Sequence, residues 1–395
     1  MFSRRTAWST SPSPHALALA AIERRGPLLD LTVSNPTRAG LVHPPGLYRG
    51  LVDEGSATYD PIPLGLPAAR EAVAADHHRR GARVHPDRIC LTASTSEAYA
   101  HLLALLCDPG DVVLVPRPGY PLLRYLADLA DLHLVAYPLA HDGAWHIDLA
   151  ALRDALDAEP RARALVVVAP QNPTGNYLAE PERAALDALC AARGLALLVD
   201  EVFHDYPLDL PAAPPSVLAH EPAALTFALS GLSKIAALPQ LKLGWLCAAG
   251  PAPLVRAAMD RLEIIADTFL SASTPVQRAA DRLLAAAPAI QAQILARTRP
   301  NLALLRRRAA GTALTVLAAE GGWTALVRLP RVADLDDAAW ALRLADRQRL
   351  LVQPGFFYDL DGAHVALSLL TPPVDFDDGA ARLLAGVDEA LTEHG

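Results

Sequence analysis

The stretch that decides the fold is residues 228–245, ALSGLSKIAALPQLKLGW. An apolar run from Leu225 to Leu229 ends at small hydroxyl residues, and a single lysine, Lys234, follows in a segment without acidic residues. An ammonium group among leucine and isoleucine side chains loses hydration, so its pKa should fall and the free amine become a nucleophile toward carbonyl groups. Taken alone, the same lysine is equally compatible with a surface position on a loop between a strand and a helix.

Composition and charge exclude several classes of protein. The chain has 395 residues, 52% of them hydrophobic, and a formal net charge of -8. Because no long basic tract is present, we expect no nucleic-acid partner. No apolar run has the length of a membrane span, and the apolar piece 16–22 is too short and too closely followed by charges for a signal peptide. The four cysteines lie far apart without metal-ligand spacing, so we expect reduced thiols, no metal site and a cytoplasmic location.

From residue 89 onward, apolar runs alternate with helical stretches of ten or more residues. Continuous Val/Leu strands separated by helices are typical of a mostly parallel sheet with helices on both faces. We therefore predict a large three-layer α/β domain over residues 46–270. After Gly250, long helical stretches at 255–270 and 276–308 precede short strands around one more helix. These elements predict a smaller α+β domain formed by residues 1–45 and 271–395.

Polar residues directly after predicted strands are the candidate ligand contacts, because ligands bind at the carboxyl ends of parallel strands. Thr95 and Ser96 open a helix, where backbone N–H groups and the helix dipole suit a phosphate. Ordinary capping by hydroxyl residues explains them as well. Tyr120 follows the next strand, where its ring can lie on an aromatic ligand or simply occupy a turn.

Two further strand ends carry Asn172 and Asp200. Asn172 lies in an Asn-Pro-Thr-Gly turn that serves no obvious packing need. Asp200 ends an apolar strand, and a buried carboxylate requires a partner such as a protonated ring nitrogen. Together with Lys234 and a phosphate site, these residues match the requirements of pyridoxal phosphate, whose ring withdraws electrons from a substrate carbon.

On these residues the chain resembles the class I/II family of pyridoxal-phosphate-dependent aminotransferases, which have the aspartate aminotransferase fold, fold type I. The resemblance extends from about residue 31 to residue 369, and the intervals of 28 residues from Asn172 to Asp200 and 34 from Asp200 to Lys234 are ordinary for the family. The motifs that carry it are Tyr59, LTASTSEA (91–98), PGYP (118–121), NPTG (172–175), DEVF (200–203) and SGLSK (230–234).

The resemblance implies a role for each matched position. Lys234 would form the Schiff base with pyridoxal 5'-phosphate and move the substrate Cα proton, Asp200 would pair with the pyridine nitrogen, and Asn172 with the 3-oxygen. Tyr120 would stack on the ring. A cis peptide bond at Asn172-Pro173 and a homodimer with shared active sites are implied too. The phosphate would be bound by Thr95, Ser96, Ser230 or Ser233, Lys242 and the neighbouring subunit's Tyr59.

Four positions depart from the family pattern. Phe203 replaces a tyrosine that contacts the 3-oxygen, and Gly231 replaces a serine. Lys242 replaces an arginine, so an ammonium group stands in place of a planar guanidinium that can donate two parallel hydrogen bonds. Most seriously, Ala366 occupies the position of the arginine that binds the substrate α-carboxylate, and an anion in a desolvated pocket requires a cation. We hypothesise that Arg38, in the SNPTR loop at 34–38, supplies that charge. Arg117 and His364 are weaker candidates.

The sequence therefore predicts an aminotransferase that transfers an amino group from an L-amino acid to a 2-oxo acid in a ping-pong mechanism. A β-eliminating lyase or an amino-acid oxidase with the same cofactor stays open as an alternative. A non-catalytic ligand sensor on the same fold is disfavoured, since no DNA-binding segment or basic arm is present. A nicotinamide dehydrogenase is disfavoured because no GxGxxG follows the first strand.

Overall fold

The computed structural model describes residues 1–394 and contains an eight-stranded sheet, a four-stranded sheet and a small two-stranded pair. The strands are β1 (Leu29–Asp30), β2 (Ile89–Thr92), β3 (Val112–Arg117), β4 (His133–His141), β5 (Trp145–Ile147), β6 (Ala162–Val168), β7 (Ala196–Asp200), β8 (Thr226–Gly231), β9 (Gly244–Ala249), β10 (Thr315–Val316), β11 (Thr324–Arg328), β12 (Leu350–Leu351), β13 (Gln353–Pro354) and β14 (His364–Ser368).

Helices cover both faces of the large sheet and pack against one face of the small sheet. They are α1 (Pro14–Glu23), α2 (Pro67–Arg79), α3 (Thr95–Leu106), α4 (Leu122–Leu129), α5 (Leu149–Ala158), α6 (Glu180–Arg193), α7 (Leu232–Ile235), α8 (Ala252–Phe269), α9 (Thr274–Arg278), α10 (Ala280–Ala285), α11 (Ala287–Ala309), α12 (Asp337–Arg347) and α13 (Pro373–His394). Across residues 1–394, no helix combines the length and the apolar character that a membrane span requires.

The large sheet has the strand order β2-β9-β8-β7-β6-β3-β4-β5. Strands β8, β7, β6, β3 and β4 pair in parallel, whereas β9 and β5 run antiparallel to their neighbours. Side chains of β7 alternate between the two faces: Leu197 and Val199 belong to one apolar core, and Ala196 and Leu198 to the other. The predicted three-layer, mostly parallel α/β fold with a smaller α+β part is confirmed.

The small sheet has the order β10-β11-β14-β13 and packs in a separate apolar core with α11, α12 and α13. Leu31, from the N-terminal segment, is fully buried in this core. Residues between Ala272 and Ala287 instead pack in a core of the large sheet. The domain boundaries at residues 45 and 270 stay predictions, and this packing favours a second boundary inside α11.

The structure adds detail at two places in this half of the chain. The helical stretch predicted over residues 276–308 is divided into α9, α10 and α11, and Pro288 in the first turn of α11 explains the last break, because proline begins helices more readily than it continues them. The C-terminal helix α13 was not anticipated, although Phe376 and Leu383 on its inner face are fully buried.

Candidate active site

Lys234 lies on the short helix α7, directly after β8, and projects into an aromatic enclosure. Its Nζ is 5.0 Å from the ring centroid of Trp323 and 5.3 Å from that of Phe203. Burial lowers the pKa of the amine from 10.5 to about 8, although the nearby charge of Asp200 opposes the shift. Among the described residues Lys234 forms no ion pair at contact distance, so a large fraction of its amine is neutral in mildly alkaline solution.

Asp200, the last residue of β7, is buried at the centre of the same sheet edge. Burial raises the pKa of its carboxyl to about 6, and two hydrogen bonds act in the opposite direction. The Val202 N–H donates to Oδ1 at 3.1 Å, and the Tyr99 hydroxyl donates to Oδ2 at 3.2 Å. The acid is therefore held ionised above about pH 6 and is fixed in orientation by a donor on each oxygen.

Thr95 and Ser96 form the first turn of α3, where Ser94 caps the helix by accepting a hydrogen bond from the Glu97 N–H at 3.2 Å. Gly244 on β9 lies against this turn, since a Cβ atom there would be 2.9 Å from the Thr95 nitrogen. The helix start, with its free backbone N–H groups, is thus brought against the strand that follows Lys234.

Ser230 and Ser233 flank that turn from the other side. In the sheet, Gly231 pairs with Gly244, which places the end of β8 beside the start of α3. Ser230 is buried and its Oγ has no hydrogen-bond partner within the described chain, whereas Ser233 is half-buried. The predicted phosphate-binding segments therefore meet in space.

Asn172 and Tyr120 lie on neighbouring strand ends. The Asn172-Pro173 bond is cis, as predicted, and Asn172 Oδ1 is buried without a partner in the described chain. The Gln171 side chain donates to the carbonyl of Pro118 at 2.7 Å, which ties the turn of Asn172 to the segment of Tyr120. Tyr120 itself is exposed, and its ring centroid lies 6.0 Å from that of Phe357.

For three of the predicted site residues, no hydrogen bond or ion pair within the described chain connects the side chain to this cluster. Tyr59 is 62% exposed, and Lys242 and Arg38 are exposed as well. Arg38 forms no ion pair among the residues described, although its neighbour Ala39 packs in one apolar cluster with Phe203 and Trp323. The SNPTR loop therefore borders the enclosure around Lys234, but the role of its arginine stays a prediction.

The position where the family has its carboxylate-binding arginine is apolar in this chain. Ala366 on β14 is buried against Leu326 and Tyr358. Of the weaker substitutes, Arg117 is already paired with Asp359 and Asp361, at 2.8 and 3.0 Å. Burial also lowers the pKa of His364, which favours its neutral form.

Sequence reasoning missed two hydroxyl groups of the site. The Tyr206 hydroxyl donates to the backbone carbonyl of Lys234 and so fixes the chain at the lysine. Tyr99 follows Thr95 by four residues, so helical spacing places both on one face of α3. That spacing was a usable signal, but it does not tell which strand the face meets.

A buried ion cluster supports the loop after Asp200. Arg80, with a side chain only 5% exposed, lies between Asp76 and Asp205. Its Nε is 3.1 Å from Asp76, and its Nη1 is 3.7 Å from Asp205. Because Asp205 shares its loop with Phe203, this cluster anchors one aromatic wall of the enclosure to the end of α2.

Comparisons with known proteins agree with this geometry. Residues 53–370 match the family described as aminotransferase class I and II. The valine–pyruvate aminotransferase of Mycobacterium tuberculosis is 32% identical over 234 residues, 58% of this chain and 58% of that relative. The glutamate–pyruvate aminotransferase of Escherichia coli is 29% identical over 216 residues, 54% and 53% of the two chains. The chain thus spans about half the length of the curated relatives it matches.

The fold is shared more widely than the sequence. The solved structure of an alanine aminotransferase from Pyrococcus furiosus superposes with a TM-score of 0.89 at 20% identity, over 98% of this chain and 100% of that one. The relatives named here are aminotransferases and give no support to the lyase or oxidase alternative.

The matched family and this fold depend on pyridoxal 5'-phosphate, which is therefore the cofactor of this chain. The residues present fit it, since they offer a partly neutral amine, a buried acid and a helix start at one sheet edge. The unpartnered polar atoms of Asn172 and Ser230 are costly unless a polar group meets them, and the oxygens of this cofactor can do so. By its matched residues and its fold, the chain belongs to the aminotransferase class I and II family.

Proposed function

We propose that this protein is a pyridoxal-phosphate-dependent aminotransferase that transfers an amino group from an L-amino acid to a 2-oxo acid. The observation that carries the proposal is the presence of two groups at one sheet edge: the amine of Lys234, with a pKa lowered to about 8, and the buried carboxylate of Asp200. An amine must lose its proton before it can attack a carbonyl, and burial provides that form without an added base.

The cofactor supplies a reactive aldehyde and a ring that withdraws electrons from the substrate Cα. Asp200 would hold the ring nitrogen, Asn172 the 3-oxygen, and Tyr120 would cover the ring face. The phosphate would be held at the N-terminus of α3, where free N–H groups and the helix dipole favour an anion. The residues proposed for it are Thr95, Ser96, Ser230, Ser233, Lys242 and Tyr59, the last one from a second subunit.

Lys234 would also move the proton from the substrate Cα to C4′ of the cofactor. A base is most effective when its pKa lies near the working pH, and burial lowers the pKa of this amine toward that range. The hydrogen bond from Tyr206 to the Lys234 carbonyl holds the backbone in place while the side chain moves.

The substrate carboxylate would be bound by Arg38. Ala366 and its neighbours offer no charge, and Arg117 is neutralised by two aspartates. Arg38 carries no competing acid among the residues described and belongs to a loop that borders the enclosure. An unpaired arginine can present its planar fork to a carboxylate.

We propose further that the protein is a cytoplasmic homodimer with shared active sites. Val52, Tyr59, Phe269 and Leu270 are large apolar side chains that are more than half exposed. Their two segments are joined, because Ser271 donates to the Ile62 carbonyl at 2.9 Å, and exposed apolar side chains of this size are often covered at subunit interfaces. The four cysteines are free thiols, which supports a reducing compartment.

A spectral titration tests the proposed activity. Protein loaded with the cofactor is mixed with a panel of L-amino acids without an acceptor, and conversion of the pyridoxal form into the pyridoxamine form is followed by absorbance. Addition of a 2-oxo acid should restore the first spectrum. Release of ammonia and pyruvate without an acceptor, or uptake of oxygen, would show a different reaction.

Lysine substitutions give the matched control, because Lys234 and Lys242 are the only two lysines of the chain. Borohydride reduction should attach the cofactor to Lys234, as read by peptide mass. Lys242→Arg should keep that adduct and the spectral conversion, whereas Lys234→Arg should lose both. A protein that gives no adduct at position 234 refutes the proposal.

A further inference from the structure

Tyr99 occupies a position that the proposed chemistry does not yet use. The residue lies on α3, is 2% exposed, and directs its hydroxyl at the buried acid Asp200. The distance from its Oη to Asp200 Oδ2 is 3.2 Å. Burial and the neighbouring carboxylate raise the pKa of the phenol well above its usual value, so the hydroxyl keeps its proton and acts as a donor.

The second oxygen of Asp200 is already satisfied by the backbone. The Val202 N–H donates to Oδ1 at 3.1 Å, and Tyr99 provides the one side-chain hydrogen bond that the described residues offer to the carboxylate. These two contacts determine the rotation of the carboxyl group about its last bond. Without the hydroxyl, one oxygen of a buried acid would have no donor, which favours the protonated form.

Helix α3 connects this contact to the helix start that carries Thr95 and Ser96. Tyr99 follows Thr95 by four residues, about 6 Å along the axis. A single rigid element therefore presents backbone N–H groups at its first turn and a hydroxyl to Asp200 one turn later. The placing of the acid relative to the anion-binding turn is fixed within this helix.

We propose that Tyr99 is a positioning residue that holds Asp200 ionised and oriented toward the ring nitrogen of the cofactor. The inference rests on the proposed role of Asp200. Removing the hydroxyl makes the carboxylate a stronger base, so the proton shared between the acid and the ring nitrogen moves toward the acid. The ring nitrogen then loses positive charge.

The test compares Tyr99→Phe with Tyr137→Phe in the protein loaded with cofactor labelled with ¹⁵N at the ring. Tyr137 is a matched control, because it is also fully buried and donates its hydroxyl at 2.8 Å, but to the carbonyl of Val166. The ring-nitrogen chemical shift reports protonation, and equilibrium dialysis gives the dissociation constant. Circular dichroism and thermal denaturation confirm that both variants fold.

We expect Tyr99→Phe to move the ¹⁵N shift toward that of neutral pyridine and to weaken cofactor binding about tenfold, as for loss of a hydrogen bond to a charged group. Binding of the analogue with carbon in place of the ring nitrogen should be unchanged. Tyr137→Phe should change neither quantity. Shifts and dissociation constants equal in the two variants would overturn the inference.

Asp200→Asn separates this inference from the function on which it rests. If Asp200→Asn changes the ring-nitrogen shift and Tyr99→Phe does not, the role of Asp200 stands and that of Tyr99 fails. If Asp200→Asn leaves the shift at its wild-type value, the proposed role of the acid fails and the inference on Tyr99 fails with it.

Discussion

Replacing the site lysine by an apolar residue should stabilise the cofactor-free protein at neutral pH. The ammonium of Lys234 is enclosed by Phe203 and Trp323, and burial lowers its pKa from 10.5 to about 8. At pH 7 the folded chain therefore bears an unfavourable charge that the unfolded chain hydrates freely. Lys234→Met keeps the length of the side chain and removes the charge.

The size of the effect follows from proton linkage. The difference of about 2.5 units between the pKa of the unfolded and folded chain corresponds to about 3 kcal/mol at pH 7. Because the pKa is lower in the folded state, this destabilisation is complete below pH 8 and disappears as the pH rises toward 10.5. At pH 9.5 about 1.4 kcal/mol should remain.

Thermal denaturation of the cofactor-free protein measures this stabilisation by Lys234→Met. The entropy of unfolding for 395 residues is about 0.8 kcal/mol/K, so 3 kcal/mol raises the Tm by about 4 °C. Lys242→Met is the matched control, because Lys242 is exposed and its replacement should change the free energy of unfolding by less than about 0.5 kcal/mol.

The result that refutes the reasoning is a Tm for Lys234→Met equal to or below that of the wild type at pH 7. A stabilisation of the same size at pH 7 and pH 9.5 would also refute it, since packing rather than charge would then be the cause. Either outcome would mean that the amine is better solvated than its enclosure indicates.

Three further changes test other parts of the structure. Arg80→Met removes the buried cation between Asp76 and Asp205 and leaves Asp205 with no ion-pair partner in the described chain, so it should cost about 3–5 kcal/mol, a Tm decrease of about 4–6 °C. Arg79→Met removes the second partner of Asp76, an arginine side chain that is 43% exposed, and should cost less than about 1 kcal/mol. Equal decreases in Tm would contradict the anchoring role. Gly244→Ala places a Cβ atom 2.9 Å from the Thr95 nitrogen and should lower the free energy of unfolding by about 1–3 kcal/mol. It should also weaken cofactor binding, as measured by equilibrium dialysis. Wild-type affinity would show that cofactor binding at the start of α3 does not depend on its contact with β9. Arg38→Ala should raise the KM for the amino acid at least tenfold and leave the dissociation constant of the cofactor unchanged, and an unaltered KM would exclude this arginine as the carboxylate ligand.

Candidate site residues that directly follow a strand could be predicted from the sequence. The alternation of apolar runs and helices predicted a parallel sheet. The carboxyl ends of parallel strands lie at one edge of the sheet, so the segments that follow them were expected to meet there. Those segments carry Thr95, Asn172, Asp200 and Lys234. Each of these side chains is close to its own strand end, so local sequence order is sufficient to place it. In the structure their segments lie at one edge of the large sheet.

Residues that contact the candidate site from distant parts of the sequence could not be predicted in the same way. Tyr99 reaches Asp200 across 101 residues of sequence, and Tyr206 reaches the Lys234 carbonyl across 28. In sequence both tyrosines look like ordinary core aromatics. Arg80 is equally inconspicuous among basic residues at a helix end, although two acids enclose it.

The sequence by itself determined the class of fold and the family and predicted Lys234 as the candidate nucleophile, because periodicity and the order of short motifs are properties of the chain. Only the tertiary structure decided how charged the lysine is, which hydroxyl fixes Asp200, and that Ala366 lies in an apolar environment. These properties depend on burial and on contacts between strands and helices far apart in sequence. Desolvation and hydrogen bonding act on the final arrangement of atoms, which no local pattern specifies.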